Sequence, residues 1–139
     1  MNEINLTAEL SERLKKYSAE VQKETRKAVD AVAEDLKVQL RIHSPRRRGT
    51  KPRKGSGGKR YAPGSYAKSW NTRITVNTFS VYEKTTYNRT HYRLTHLLEK
   101  GHDAKNGKRV APIEHIAPLE RKAVKNYETR IIKLIKSIK

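Results

Sequence analysis

Cysteine is absent from the 139 residues, so neither disulfide staples nor cysteine-ligated zinc can hold this chain together. Thiol redox chemistry has nothing to act through. Aromatic and apolar residues are scarce as well: one Trp, one Phe and seven Tyr, with 35% of residues hydrophobic. That suffices for one modest core in a single domain spanning residues 1–139, and it leaves part of the stability to be supplied by partner subunits. No run approaches the roughly 18 apolar residues that would span a bilayer. The start, Met1 to Asn5, has neither a basic n-region nor an apolar h-region. We therefore expect a soluble protein with no visible export signal and no membrane partner.

The motifs of catalysis are missing too. The five histidines, at 43, 91, 96, 102 and 115, fit no established metal spacing, and no His-Glu-x-x-His pattern occurs. Gly55 to Arg60 is glycine-rich and basic but lacks the following helix that would make it a phosphate cradle. Glu99 with His96 or His102 is the nearest approach to an acid–base pair. We expect no catalytic residue, no metal, no cofactor and no small-molecule substrate.

What the sequence has is positive charge, formally +18 and unevenly placed. Residues 1–42 carry eight Lys or Arg and eight acids; residues 43–82 carry ten bases and no acid. The remaining 14 bases and six acids lie at 83–139. A neutral segment joined to strongly basic ones points to a polyanionic surface nearby: nucleic acid, an acidic protein face or, as the lesser alternative, a membrane.

From Leu6 to Ile42 there is neither Gly nor Pro, and apolar residues recur at Leu6, Leu10, Leu14, Tyr17, Val21, Ala28, Val32, Leu36 and Leu40. These steps predict one long helix, capped by Asn5 or Thr7 and stopped by Pro45. Thr25 interrupts the stripe, so a bend or a change of partner is expected near it. At 1.5 Å per residue the helix is about 50 Å long. Either part of its stripe meets another chain, or the helix bends or breaks over its own core. Residues 46–60 hold eight bases, Arg46, Arg47, Arg48, Lys51, Arg53, Lys54, Lys59 and Arg60, and no apolar side chain. The stretch reads as a basic mobile loop, either merely solubilising or contacting DNA or an acidic partner.

After Pro63-Gly64, alternation at Trp70, Thr72, Ile74 and Val76, and again at Phe79 and Val81, predicts a hairpin. Trp70 reads as the anchor between sheet and long helix rather than as a base-stacking platform. Tyr92 to Gly101 predicts a short helix with leucines at 94, 97 and 98. Gly101, in left-handed conformation, ends it and releases His102 into a polar loop. A second loop at 103–109 and a short strand at 110–116 follow. Pro118 then opens a last helix carrying Leu119, Ala123, Val124, Tyr127, Ile131, Leu134, Ile135 and Ile138 on one side. Its basic, isoleucine-rich end also reads as a membrane-surface helix, though packing on the sheet or a neighbour is the simpler reading. The expected fold is α+β: long N-terminal and C-terminal helices flank a small antiparallel sheet, with a short helix between. The expected core contains Trp70, Ile74, Val76, Leu97 and Leu98. On charge alone the function classes are a nucleic-acid-binding protein, a small toxin-type ribonuclease, or a helical assembly factor without a DNA role.

Three phrases carry a more specific likeness. Ser44-Pro45-Arg46 with Gly64-Ser-Tyr66-Ala-Lys-Ser-Trp70 is the first; Tyr92 through Leu97-Leu98-Glu99 to Gly101-His102 is the second; His115-Ile-Ala-Pro118 is the third. In this order they resemble the tail-component family of long-tailed double-stranded-DNA phages, small head–tail joining or neck proteins of the HK97 gene-ten-like kind. The likeness runs from Ser44 to about Pro118, and more loosely over the flanking helices. The sequence departs from it by the basic stretch 47–63 interposed in the first phrase, and by Leu119 where the family often has Ala. The resemblance implies a structural virion protein of the neck, located at the head–tail interface and in the host cytoplasm during assembly. It further implies a ring of copies connecting portal or head-closure proteins to tail proteins, with packaged double-stranded DNA as a candidate contact of the basic loop.

Overall fold

The computed structural model describes residues 6–55 and 58–137. Asn5, offered as a cap, and Ile138, offered as part of the last apolar stripe, lie outside the described residues. Helix α1 runs unbroken from Leu6 to His43. The absence of Gly and Pro allows that length, and the turn closes where Ser44 N–H reaches Leu40 C=O at 2.9 Å, directly before Pro45. The helix is not broken at Thr25, whose hydroxyl donates back to Val21 C=O at 2.7 Å. The environment of the stripe does change there. Leu10, Leu14 and Tyr17 are 59%, 58% and 52% exposed, whereas Ala28, Ala33 and Leu40 are buried.

Within the basic stretch 46–60, the arm, a two-rung hairpin forms from β1 (Arg53–Lys54) and β2 (Arg60–Tyr61). The single turn α2 (Ser65–Lys68) then leads into the principal hairpin, β3 (Trp70–Asn77) with β4 (Tyr82–Asn88), antiparallel with a bulge between Ile74 and Val76. A 3₁₀ turn (Tyr92–Leu94) precedes α3 (Thr95–Lys100). The short pair β5 (His102–Asp103) and β6 (Arg109–Val110) follows, and α4 (Ile116–Ser137) closes the chain. The α+β expectation holds. Two long helices flank small antiparallel ribbons, with a short helix between.

The centre of the core is Leu40, Tyr66, Trp70 and Leu119, with Leu36, Leu98 and Ile116 packed against it. Trp70 is an anchor, as expected. Its ring is buried, and its indole N–H donates to the Ser44 hydroxyl at 2.7 Å where α1 ends. Ile74 is not core: it is 51% exposed. A two-stranded ribbon is too narrow to keep its far half dry, and α1 holds that half by polar contacts instead. Arg26 bonds Asn77 Oδ1 at 2.6 Å and Thr78 C=O at 2.8 Å, while Asp30 receives Lys84 at 2.9 Å and the Tyr82 hydroxyl at 2.6 Å. Val76 and Leu97 are only half-buried.

The second strand is Tyr82–Asn88, not the segment at Phe79 and Val81. Phe79 is 79% exposed at the tip of the hairpin. Alternation misled here because a strand pairs wherever its register fits, and Thr72–Thr86 and Arg73–Thr85 pair well with few apolar side chains. Residues 111–115 form no strand, and 103–109 is the tight end of the β5–β6 hairpin. Helix α4 begins at Ile116, so Pro118 lies within its first turn. The helix packs along α1, but the two leave a gap of about 450 Å³ bordered by Val29, Val32, Leu36, Ile116 and Tyr127. Val124, Ile132 and Ile135 remain at least half exposed. Among the described residues no helix is long and apolar enough to cross a membrane.

Candidate functional site

Residues from each of the three sequence phrases meet at one largely buried junction. Glu99, near the end of α3, accepts backbone N–H bonds from His115 (2.9 Å), Ile116 (3.0 Å) and Ala117 (2.8 Å). Those are the orphan donors at the start of α4, so Glu99 caps that helix from outside it. Burial pushes the Glu99 carboxyl up, but the three N–H donors and His115 together outweigh it and hold it below the ordinary glutamate range.

His115 is 3% exposed. Its Nδ1 lies 2.8 Å from Ile113 C=O and 3.1 Å from Glu99, both acceptors, so Nδ1 carries the proton. Nε2 is then the acceptor and receives the Tyr66 hydroxyl at 2.8 Å. Burial first, and the Glu99 carboxylate second, raise the Tyr66 phenol well above its usual range. Tyr66 in turn packs edge-on to Trp70, with ring centroids 5.8 Å apart. A Tyr–His–Glu chain could serve acid–base chemistry, but here it is used up on α4 and Ile113. Among the described residues no three His, Cys, Asp or Glu side chains gather into a metal site.

Gly64 and Gly101 set the two turns of this junction. Gly64 opens α2 at φ 85°, with Arg46 lying across it: a Cβ there would meet Arg46 Nη1 at 2.9 Å. Gly101 ends α3 at φ 73° and ψ 173°, a positive-φ extended conformation rather than the left-handed helical one expected. The chain thereby enters β5 beside β6, and a Cβ on Gly101 would stand 2.5 Å from Val110 C=O. His102 is accordingly not released into a loop. It begins β5, and its Nδ1 is buried without a partner. Tyr92, also part of the phrase, is 59% exposed and lies outside the junction, while Leu98 packs on the core.

Sequence reasoning missed three supports of this junction. Asn88, 2% exposed, donates to Tyr66 C=O at 2.9 Å and accepts His91 N–H at 2.8 Å, tying β4 to α2 and the 3₁₀ turn. Arg41 clamps Trp70 C=O through two nitrogens, at 3.0 and 2.7 Å. Ser65 Oγ and His91 Nε2 are 2.9 Å apart. Each is a polar residue in a polar segment, so no pattern separated it from its neighbours.

The basic stretch lies beside this junction and is less featureless than its composition suggests. Tyr61, one residue beyond the run, packs edge-on against His91 with ring centroids 4.5 Å apart, which attaches β2 to the body. Arg47 donates to Lys51 C=O at 3.1 Å and Tyr61 C=O at 3.3 Å; Arg46 donates to Arg41 C=O at 3.3 Å. These two arginines thus brace the arm. The side chains of Arg48, Lys51, Arg53, Lys54, Lys59 and Arg60 are exposed and have no protein partner among the described residues. The cationic surface also extends past the arm. A pocket of about 440 Å³ is lined by Arg41, Arg60, Lys68 and Arg89 with no carboxylate, bases too scattered in sequence to read as a cluster.

Compared with known protein families, residues 8–101 match the one described as "Bacteriophage HK97-gp10, putative tail-component". No curated protein and no solved structure matches the chain. The matched segment takes in all but the start of α1, the arm, the principal hairpin and α3. It ends at Gly101, so the third phrase, His115 to Pro118, lies beyond it although the fold brings it against Glu99.

Proposed function

The chain belongs to the HK97-gp10-like family of phage tail components, and from that membership we propose that it stands in the neck, as a ring of copies joining head to tail. Its coarse role is that of a structural phage protein working beside other virion proteins. The finer placement rests chiefly on the apolar surface the fold leaves unused. The first three turns of the α1 stripe, with Leu10, Leu14 and Tyr17, project beyond the core they would otherwise serve. Side chains of that size in a row are expensive to leave in water, at about 25 cal/mol per Å² of apolar area. A neighbouring copy laid along α1 would cover them.

In this reading portal or head-closure proteins lie on one side of the ring and tail proteins on the other. The exposed bases of the arm face packaged DNA or an acidic surface of an adjoining ring. No catalysis is assigned to the protein: His115 spends both ring nitrogens on Tyr66, Ile113 and Glu99, while Nε2 of His91 and of His43 is held by Ser65 and Gln39. Particle imaging tests the proposal. Purified virions should hold the protein as a ring between portal and tail tube, and lysates lacking it should contain separate heads and tails. Its absence from purified virions would overturn the proposal, and rapid RNA degradation by low concentrations of the protein would favour the ribonuclease reading instead.

A further inference from the structure

Between the arm and the body lies a groove of about 740 Å³, within the range of sites that take a peptide or small ligand. Its rim is cationic: Arg53 and Lys54 come from β1, Arg93 from the 3₁₀ turn, and Arg46 and Arg47 from the chain just after α1. No carboxylate lines it. Its floor is apolar and wet. Tyr92, Leu94 and Ile113 are 59%, 40% and 50% exposed, and Leu98 closes the bottom from the core side. Exposed apolar side chains gathered in one concavity within a ring of like charge mark an interaction site better than the same residues scattered over a surface.

The chemistry of the lining selects among occupants. Duplex DNA would meet the cationic residues through its phosphates but would make no use of the exposed apolar side chains between them. Single-stranded nucleic acid needs free aromatic faces for its bases. Here Tyr61 is committed edge-on to His91, and the Arg93 guanidinium already lies over the Tyr92 ring at 5.7 Å. Those rings apart, the floor is aliphatic, made of Leu94, Leu98 and Ile113. A peptide with a large apolar side chain flanked by carboxylates satisfies both parts, since the anchor fills the floor while Asp or Glu on either side reaches the rim.

We propose that this groove receives an acidic segment of a neighbouring virion protein, anchored by a leucine or phenylalanine and held at its flanks by Arg53, Lys54 and Arg93. The inference rests on the assembly role above and deepens it by naming the chemistry of one partner. Unlike the proposed ring contact along α1, this is a contact with a different chain, because this chain is strongly basic overall, with 32 Lys or Arg against 14 acids.

The test uses the whole protein and fluorescent peptides of about 12 residues, read by anisotropy. One probe is acidic with a central Leu-Phe pair; a second replaces the pair by Gly-Ser; a third is oligothymidine. The Leu-Phe peptide should bind at least about tenfold more tightly than the Gly-Ser peptide, and Ile113→Glu or Arg93→Glu should remove about tenfold of that affinity. Both side chains are largely exposed, so these variants should melt like the parent. Hydrogen exchange should show protection by the Leu-Phe peptide at residues 92–98 and 113. Equal binding of the two acidic peptides would reduce the groove to charge attraction and overturn the proposal. So would no binding by either, or tighter oligothymidine binding that the same variants abolish. Absence of the protein from virions would sink the neck assignment yet leave the peptide result standing, so the two failures are distinguishable.

Discussion

A carboxylate placed to hold another helix's first turn is a small device with a large consequence. Among the described residues Glu99 is the only side chain that accepts from the first N–H groups of α4, so Glu99→Ala leaves three part-buried donors short of an acceptor. A cost of about 1–3 kcal/mol is expected, read as a lowered denaturation midpoint. Glu99→Gln keeps one oxygen and should lie between. The pH dependence follows from the same contacts. A carboxyl held below its ordinary value of 4.5 contributes stability that is present above that value and is lost as pH falls through the folded one. Asp30, held down by hydrogen bonds from Lys84 and Tyr82, adds in the same direction. The melting temperature should therefore decline below about pH 4.5, and less steeply in Glu99→Gln; an identical acid limb in the two proteins would show that Glu99 is not the cap. Gly101 is as constrained by shape as Glu99 is by charge. Gly101→Ala adds a Cβ 2.5 Å from Val110 C=O at a positive φ, and a loss of about 3 kcal/mol or more is expected by denaturant titration.

At the scale of elements, the arm and the first turns of α1 are the two parts the core does not need. Of the eight bases of the arm, Arg46 and Arg47 are engaged with backbone carbonyls at its base, which leaves six to meet phosphates. At about 0.9 counterions released per phosphate, full engagement of duplex DNA gives a slope of roughly −5 in log affinity against log salt. Replacing those six by Gln should flatten the slope and weaken binding to duplex of any sequence while leaving the melting temperature unchanged. An unaltered slope would place the DNA contact elsewhere, with the pocket of Arg41, Lys68 and Arg89 next in line. That α1 would be longer than its core was legible from the 38-residue span without Gly or Pro, and so was the polarity of the arm. That the arm pairs with itself as a hairpin and packs on the body was not, because backbone pairing of Arg53 with Tyr61 and the edge-on pair of Tyr61 with His91, thirty positions apart, leave no mark in so polar a stretch.

For the whole molecule the decisive property is incompleteness. The apolar stripe of α1 continues beyond its own core, the gap between α1 and α4 is left unfilled, and Ile132 and Ile135 lie open near the far end of α4. A protein that assembles into a particle can leave such surfaces for its neighbours to cover. Leu10→Ser combined with Leu14→Ser should thus leave the stability of the isolated chain within about 0.5 kcal/mol of the parent, as for exposed positions. The same pair should abolish incorporation into virions, measured by quantifying the protein in purified particles. Normal incorporation would mean that the protruding turns are not the contact between copies.

Periodicity, punctuation and charge settled much of this in advance. They determined the long helix, its stop at Pro45, the last helix, the α+β class and the concentration of bases in residues 46–60, because each is written within a few turns of local sequence. The three phrases could be recognised as kin to a family but not explained, since what joins them is contact between residues distant in the chain. Only the tertiary structure turned Glu99 into the cap of α4, made Tyr66 and His115 one hydrogen-bonded pair, moved the second strand from Phe79 and Val81 to Tyr82–Asn88, and left Ile74 exposed. The physical reason is the same in each case. A polar side chain acquires its role from the partner that packing brings to it, and strand pairing is fixed by register across the hairpin, neither of which local sequence periodicity records.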